Sequence, residues 1–262
     1  MAGLVVTRSW CMNANTHKLR TQAVRIAARH RRPSFYSQFQ AQLASALSLH
    51  HSNPLVKRLR DLIRPKLSED LGHGLHHSTR VSIESAALIL VEAEAHQFHQ
   101  EHIQRLMVLG ELAGLLHDIC RGAENHAAEG ALEAARTLMS FPLRAEEIQC
   151  ICCAIGNHEA FAQPAPCRVP WAQIVSDCLY DADKFRWGLD NFTHMLWHMA
   201  DSQNLTPTEL IARFPWGMTG IARIRETFRS ATGRQYGPEI IDVGIEIGKE
   251  IYQYMVQVHG ND

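Results

Sequence analysis

The run "AGLLHDICRGAENHAAEGA", residues 113–131, decides how the chain is read. An apolar stretch of helical period, residues 102–118, ends in His117 and Asp118 side by side, and His126 follows nine positions after the first histidine. At the end of a core-forming helix, Leu or Ala would pack better than either side chain. Two metal-liking groups in that place need partners from elsewhere in the chain, so the rest of the sequence has to supply them.

Outward from this run, nearly every periodic segment is helical. "LVKRLRDLIRPKL" (55–67) repeats apolar residues at three and four, with Pro65 set to end or kink it. Residues 75–96 form a long amphipathic stretch, and 126–138 a further helix with Asn125 placed as its N-cap. Residues 144–158 and 171–186 keep the same period. "TPTELIARF" opens with Thr206, Pro207 and Glu209, a capping-box start, and a last helix is expected from about Pro238 to Val258. No alternation of period two and no internal repeat is found. The loop "AQPAPCRVP" (162–170) is too short to link domains. The expected architecture is all-α: a helical bundle over residues 51–262, its motif core at about 70–190 and its C-terminal helices at 191–262, preceded by a poorly defined basic arm, 1–50.

Composition narrows the function classes. With 262 residues, 46% of them hydrophobic and 20% charged, the chain has ample material for a core, and no apolar run approaches the eighteen or so residues of a membrane span. Seven Cys at spacings that suggest no disulfide framework are read as reduced thiols in a cytoplasmic compartment, and "CICC" (150–153) as buried inert thiols rather than a soft-metal site. Of sixteen His, some, such as His50, His51 and His259, lie in segments without partner patterns and are expected on the surface or in tails. Charge is uneven. Residues 1–60 hold ten Lys or Arg and no acid, whereas the remainder holds sixteen basic and twenty-seven acidic groups. The basic arm fits a transit segment or a nucleic-acid-binding arm; a solvated tail, or a start site placed too far upstream with Met12 as the real one, is favoured for want of a cleavage pattern. The acidic remainder argues against a general nucleic-acid surface.

The partners are there. "GHGLHHSTRV" (72–81) supplies His77, "NHAAEGA" His126, "AIGNHE" His158 and "YDADKF" Asp181, Asp183 and Lys184. Each lies near a helix end, where a bundle gathers side chains from several helices into one pocket. Imidazole with carboxylate suits Mn, Fe, Zn or Ni, whereas carboxylates alone would suit Mg or Ca. Adjacent His and Asp diverge by about 100° on a helix but can converge on an ion lying off its end. Asp181 and Asp183 fall on opposite edges of the apolar face, so the residues themselves leave that choice open.

The order His…His-Asp…His…His…Asp, with "HxxRV" at His77 and "HxxxGA" at His126, resembles the HD-domain metal-dependent phosphohydrolases over about residues 70–190. The resemblance implies an all-α HD-type bundle and one or two divalent ions (Mn, Fe, Ni or Zn). His77, His117, Asp118 and Asp183 match the mononuclear set, with Asp118 also helping to activate water. His126 and His158 match the added ligands of two-metal members. The family pattern prefers Asp183 to Asp181 and makes Lys184 and Arg121 candidates for neutralising phosphate charge. Its implied partner is a small phosphorylated substrate, a nucleotide or other phosphate ester. Two alternatives stay open: a mixed-valent di-iron oxygenase built on the same ligands, and a non-catalytic binding module. Arg80 is a further phosphate candidate or a brace for acidic neighbours. His73 and His76 are expected to be structural, and Glu159 a solvated helix-end carboxylate. Trp187, Trp197 and Trp216 are candidates for the pocket wall, with core packing the ordinary role for each. The oligomeric state is not legible.

Overall fold

A computed structural model describes residues 14–67 and 74–260. Among them the fold is all-α, without strands: α1 (Ala14–Ala27), α2 (Phe35–Gln38), α3 (Gln40–Ser52), α4 (Pro54–Ile63), α5 (Leu75–Ala95), α6 (Gln100–Leu116), α7 (His126–Leu138), α8 (Ala145–Gly156), α9 (Pro170–Phe185), a π-helical turn (Asn191–Met195), α10 (Leu196–Ser202), α11 (Pro207–Ile224) and α12 (Ala231–His259). No helix of the described residues is long and apolar enough to cross a membrane.

The centre is the α5–α6 pair. Both helices are buried on nearly all faces, from Val81 to Ala93 on one and from Ile103 to Leu116 on the other; α6 is apolar enough for this, whereas α5, read as amphipathic, also buries Ser78, Ser82, Glu84, Ser85 and Glu92. They can approach closely because α6 carries Gly110 and Gly114 where α5 carries serines. A Cβ at Gly114 would stand 2.4 Å from the Ser82 Cα, and one at Gly110 would stand 2.3 Å from the Ile89 Cδ1. This crossing brings the start of α5 against the end of α6. Helix α9 lies on α5, while α7 packs on α8 and α8 on α9, so the ends of five helices meet at one side of the bundle.

Local signals hold at several boundaries. Pro65 follows the end of α4, and Thr206 and Glu209 form the expected reciprocal cap, with Thr206 Oγ1 accepting from Glu209 N at 3.2 Å and Glu209 Oε2 accepting from Thr206 N at 2.8 Å. Asn125 occupies the N-cap of α7 without making a side-chain capping bond. The last helix begins earlier than Pro238. Ser230 caps it, its hydroxyl accepting from Gly233 N at 2.8 Å, and the proline sits inside the helix.

The N-terminal segment departs most from its reading as an arm. Residues 14–52 form three helices that bury Leu19, Ala23, Ile26, Phe35 and Ala46 in the common core. Its basic charge is met by α12: Arg29 pairs with Glu250, Arg31 with Glu239, and His30 Nε2 lies 3.0 Å from Glu250 Oε2. An acid-free segment next to an acid-bearing helix accounts for the charge asymmetry over these residues. Residues 1–13, including Met12, lie outside the described residues, as does His73. His50 is likewise no surface histidine: it is buried, with Nδ1 2.7 Å from the buried Glu111 carboxylate on α6.

The thiol reading needs correction too. Cys153 and Cys167 form a disulfide, so "CICC" is not a row of inert thiols; Cys150 and Cys152 remain free. Their alternate positions on α8 point Cys153 away from the core and towards the 157–169 loop, a tertiary approach that spacing does not reveal. The thiol argument for a reducing compartment lapses with it.

Candidate metal centre

His77 comes from the first turn of α5. His117 and Asp118 come from the end of α6, His126 from the first residue of α7, His158 from just past α8, and Asp183 from the last turn of α9. All six meet. The ligand atoms of His77, His117 and Asp118 lie within 4.8 Å of one another, and so do those of Asp118, His126 and His158. Asp118 belongs to both groups. Asp183 joins the first, with Oδ1 3.4 Å from His77 Nε2 and 3.7 Å from His117 Nε2. Between the two halves, Asp118 Oδ2 is 3.4 Å from His117 Nε2, and Oδ1 is 3.4 Å from His158 Nε2. Except for His126, which is half-buried, all are buried.

The backbone fixes which imidazole nitrogen faces inward. His117 Nδ1 donates to the Gly114 carbonyl at 2.7 Å, and His158 Nδ1 to the Ile155 carbonyl at 2.6 Å, each reaching back three residues. A neutral histidine whose Nδ1 carries the proton presents a bare lone pair at Nε2. For His158 that lone pair is buried, has no hydrogen-bond partner, and faces a carboxylate oxygen. Two electron pairs facing each other in a buried site are unfavourable unless a proton or a cation lies between them. Two donors on one ion, at about 2.1 Å each and roughly 90–110° apart, stand roughly 3.0–3.4 Å from each other. The 3.2 Å between His77 and His117 Nε2, and the 3.4 Å contacts above, fall in that range. The donor set of nitrogen with carboxylate oxygen thus fits a divalent transition metal.

For His77, His126 and Asp183, electrostatics agree with ligand-competent protonation. Burial lowers the His77 pKa to about 4, leaving a neutral imidazole. Burial, then the nearby Arg121 cation, also lowers His126. Asp183 is held well below the carboxylate range: burial opposes this, but the Lys184 ammonium and His77 outweigh it. His117 goes the other way. Burial lowers it, but the Asp118 and Asp183 carboxylates together hold it above its ordinary value.

Asp181 and Asp183 are separated by the fold as the residues alone could not separate them. Asp181 turns to the start of α12, where its oxygens accept from Arg229 N and Ser230 N, both at 2.8 Å. Lys184 is buried rather than solvated, with Nζ bonded to Asp183 and 5.0 Å from the Tyr180 ring centroid. Its ammonium is therefore engaged by a ligand carboxylate. Arg121 reaches the centre from the turn after α6, with Nη1 3.0 Å from His126 Nε2 and 3.6 Å from Asp118 Oδ1, and its side chain is 40% exposed. Arg80 braces acids, its Nε lying 3.2 Å from Asp190. His76 and Glu159 are exposed, with the His76 ring against His194. Trp197 is core, donating Nε1–H to the Phe192 carbonyl at 2.6 Å. Sequence reasoning did not find the Gly114 and Ile155 carbonyls, which carry no side-chain signal; only their place three residues before a histidine at a helix end marks them. No family model, no curated protein and no solved structure matches this chain.

Proposed function

We propose that this chain is a metal-dependent phosphohydrolase of the HD-domain type, acting on a nucleotide or other small phosphate ester. One observation carries the reading: two donor triads share a single buried aspartate, Asp118, with His117 and His158 oriented from behind by backbone carbonyls. A bound divalent ion of the Mn, Fe, Ni or Zn type would supply Lewis acidity towards phosphate oxygens and a water acidified towards neutral pH. Around it the protein's own groups have distinct tasks. His77, His117 and Asp183 hold one half of the centre, and His126 and His158 the other. Asp118 spans both and stands ready to accept a proton from an attacking water. Arg121, exposed beside Asp118, offers a planar fork to a phosphate arriving from solvent. Lys184 acts indirectly, by keeping Asp183 ionised.

The test is elemental analysis of the purified protein and of Asp118→Ala and His126→Ala, beside hydrolysis of phosphomonoester and nucleotide panels. We expect two ions per chain, one lost with His126, and loss of roughly a thousandfold or more in turnover with Asp118, since the ion is worth several kcal/mol to the transition state. A metal-loaded Asp118→Ala protein that hydrolyses at the wild-type rate overturns the proposal. Two irons with oxygen-dependent turnover and no phosphatase activity would replace it with oxygenase chemistry on the same ligands.

A further inference from the structure

A cavity of about 490 Å³ lies beside the centre, within the range of small-molecule sites. Arg121 joins them. Arg121, which touches His126 and approaches Asp118, also lines the cavity, and so does Trp187, three residues beyond Lys184 at the end of the α9 chain. Away from Arg121 the wall is mostly apolar and rich in flexible side chains, among them Phe192, Met195, Met199, Leu205, Phe214 and Met218, with Asn191 and Gln203 as polar members. The other cationic group on the wall, Arg213, is already bonded to Gln203 at 3.1 Å. Three irregular features fall in the segments that build this wall: the π-helical turn, Asn204 at a φ of 51°, and Pro215 inside α11. Such departures cost backbone hydrogen bonds or local strain and concentrate where a cavity has to be kept open. Trp216 lines the cavity yet is 83% exposed, which places it at the mouth.

We propose that this cavity takes the alkyl or acyl chain of an amphiphilic phosphate ester, whose phosphate lies at Arg121 and the metal centre; the inference rests on the phosphohydrolase reading of that centre. The polarity is graded in one direction, cationic at the centre and apolar beyond it, as such a molecule is. Thioether side chains remould around flexible chains and offer no hydrogen bonds to the edge of a base. For its polar edge a nucleobase would find Asn191 and the Gln203–Arg213 pair, already bonded to each other, and the rest of it would face methionine and phenylalanine.

The test uses n-butyl-, n-octyl- and n-dodecylphosphonate, which cannot be hydrolysed, with AMP as the nucleotide arm. Binding to the full-length metal-loaded protein is followed by tryptophan fluorescence and calorimetry. Full burial of each methylene tightens binding by roughly fourfold, so even with the four extra methylenes of octyl only about half buried, octyl should bind at least about tenfold more tightly than butyl. Gly217 lines the cavity, and a Cβ there would meet nothing within 4 Å, so Gly217→Phe starts its side chain in open space and removes a helix glycine. It is expected to erase the octyl-to-butyl ratio while unfolding at or above the wild-type temperature. Chain-length-independent binding, or AMP binding tighter than octylphosphonate, overturns the inference while leaving the phosphohydrolase reading intact. Chain-length-dependent binding with no turnover of octyl phosphate supports the cavity assignment and counts against the hydrolase reading instead.

Discussion

Two buried polar clusters, each drawing on α5 and on α9 or just beyond it, differ in how their charges are balanced. One is the candidate metal centre. The other gathers Arg186, Glu84, Asp190 and Tyr36, with Arg80 at its edge: Arg186 bonds Glu84 and Asp190, and its guanidinium donates to the Tyr36 hydroxyl at 2.8 Å. There, two guanidinium groups face two carboxylates, and Glu84, Asp190 and the Tyr36 hydroxyl each accept from Arg186, whose Nε alone lacks a partner. At the metal centre, His158 meets Asp118 acceptor to acceptor. Donor-matched burial serves the fold, whereas burial with facing lone pairs requires something brought from outside. Composition does not separate the two clusters, since both are made of bases and acids; the direction of the protons does.

The largest effect should come from breaking the matched cluster. Arg186→Met would strand two buried carboxylates with only the half-exposed Arg80 near them, and a loss of about 3–5 kcal/mol in denaturant unfolding is expected. Metal stoichiometry of the folded fraction should not change. If stability fell by less than 1 kcal/mol, the cluster would not be the structural tie described here. Next comes the Cys153–Cys167 bridge, which closes a loop with a sequence separation of 14 and carries His158 within it. The double Cys→Ser variant should lose about 3 kcal/mol, and second-site metal occupancy should fall with it. Unchanged occupancy would show that the Ile155 carbonyl and the Asn157 amide, which bonds Ala165 and Ser176, hold His158 without the bridge.

How much of this was written in the sequence depends on the range of the signal. His77, His117, Asp118, His126, His158 and Asp183 are legible because each sits at a helix end that local periodicity places, and a bundle brings such ends together. Helix α11 is legible from Thr206 and Glu209, since a cap is a contact three residues long. The N-terminal helices are not: α3 is almost without amphipathic contrast, and the acids that neutralise Arg29 and Arg31 lie more than 200 residues away. His50 hides its role for the same reason, its partner Glu111 being 61 residues distant. The Cys153–Cys167 pair and the turning of Asp181 towards α12 likewise depend on which elements pack, not on the order of residues.

A smaller test extends the comparison to a matched pair outside both clusters. The buried Glu147 accepts from Arg105 at 2.6 and 2.7 Å and from Arg144 N at 2.8 Å, and these bonds, with the Arg105 bonds foremost, lower its pKa to about 2. Its folded value lies below its unfolded one, so the stability it contributes is present above about pH 4.5 and is lost as pH falls towards 2. Glu147→Gln should cost about 2 kcal/mol at pH 7, and the gap from wild type should close as unfolding is measured from pH 5 down to pH 2.5. A gap constant across that range would remove the charge from the account.

The smallest expected effect is the most discriminating, because its sign is opposite. In the chelated, metal-free protein Asp118 Oδ1 still lies 3.4 Å from His158 Nε2, with the Arg121 guanidinium at 3.6 Å, farther than a hydrogen bond. Asp118→Asn keeps the shape, removes the charge and places an N–H where it can donate to that nitrogen, a gain of about 1 kcal/mol. The variant should therefore unfold at a higher temperature than wild type when both are metal-free, and at a lower one when both are offered metal, because only the wild type binds it tightly. Changing a buried acid to its amide in the matched cluster, as in Asp190→Asn, should destabilise in both conditions, since there the charge already has its guanidinium partners. Thermal unfolding of the two variants with and without chelator reads the difference directly. If Asp118→Asn destabilised the metal-free protein as Asp190→Asn does, a proton rather than a metal ion would be what the centre holds, and the two clusters would be of one kind.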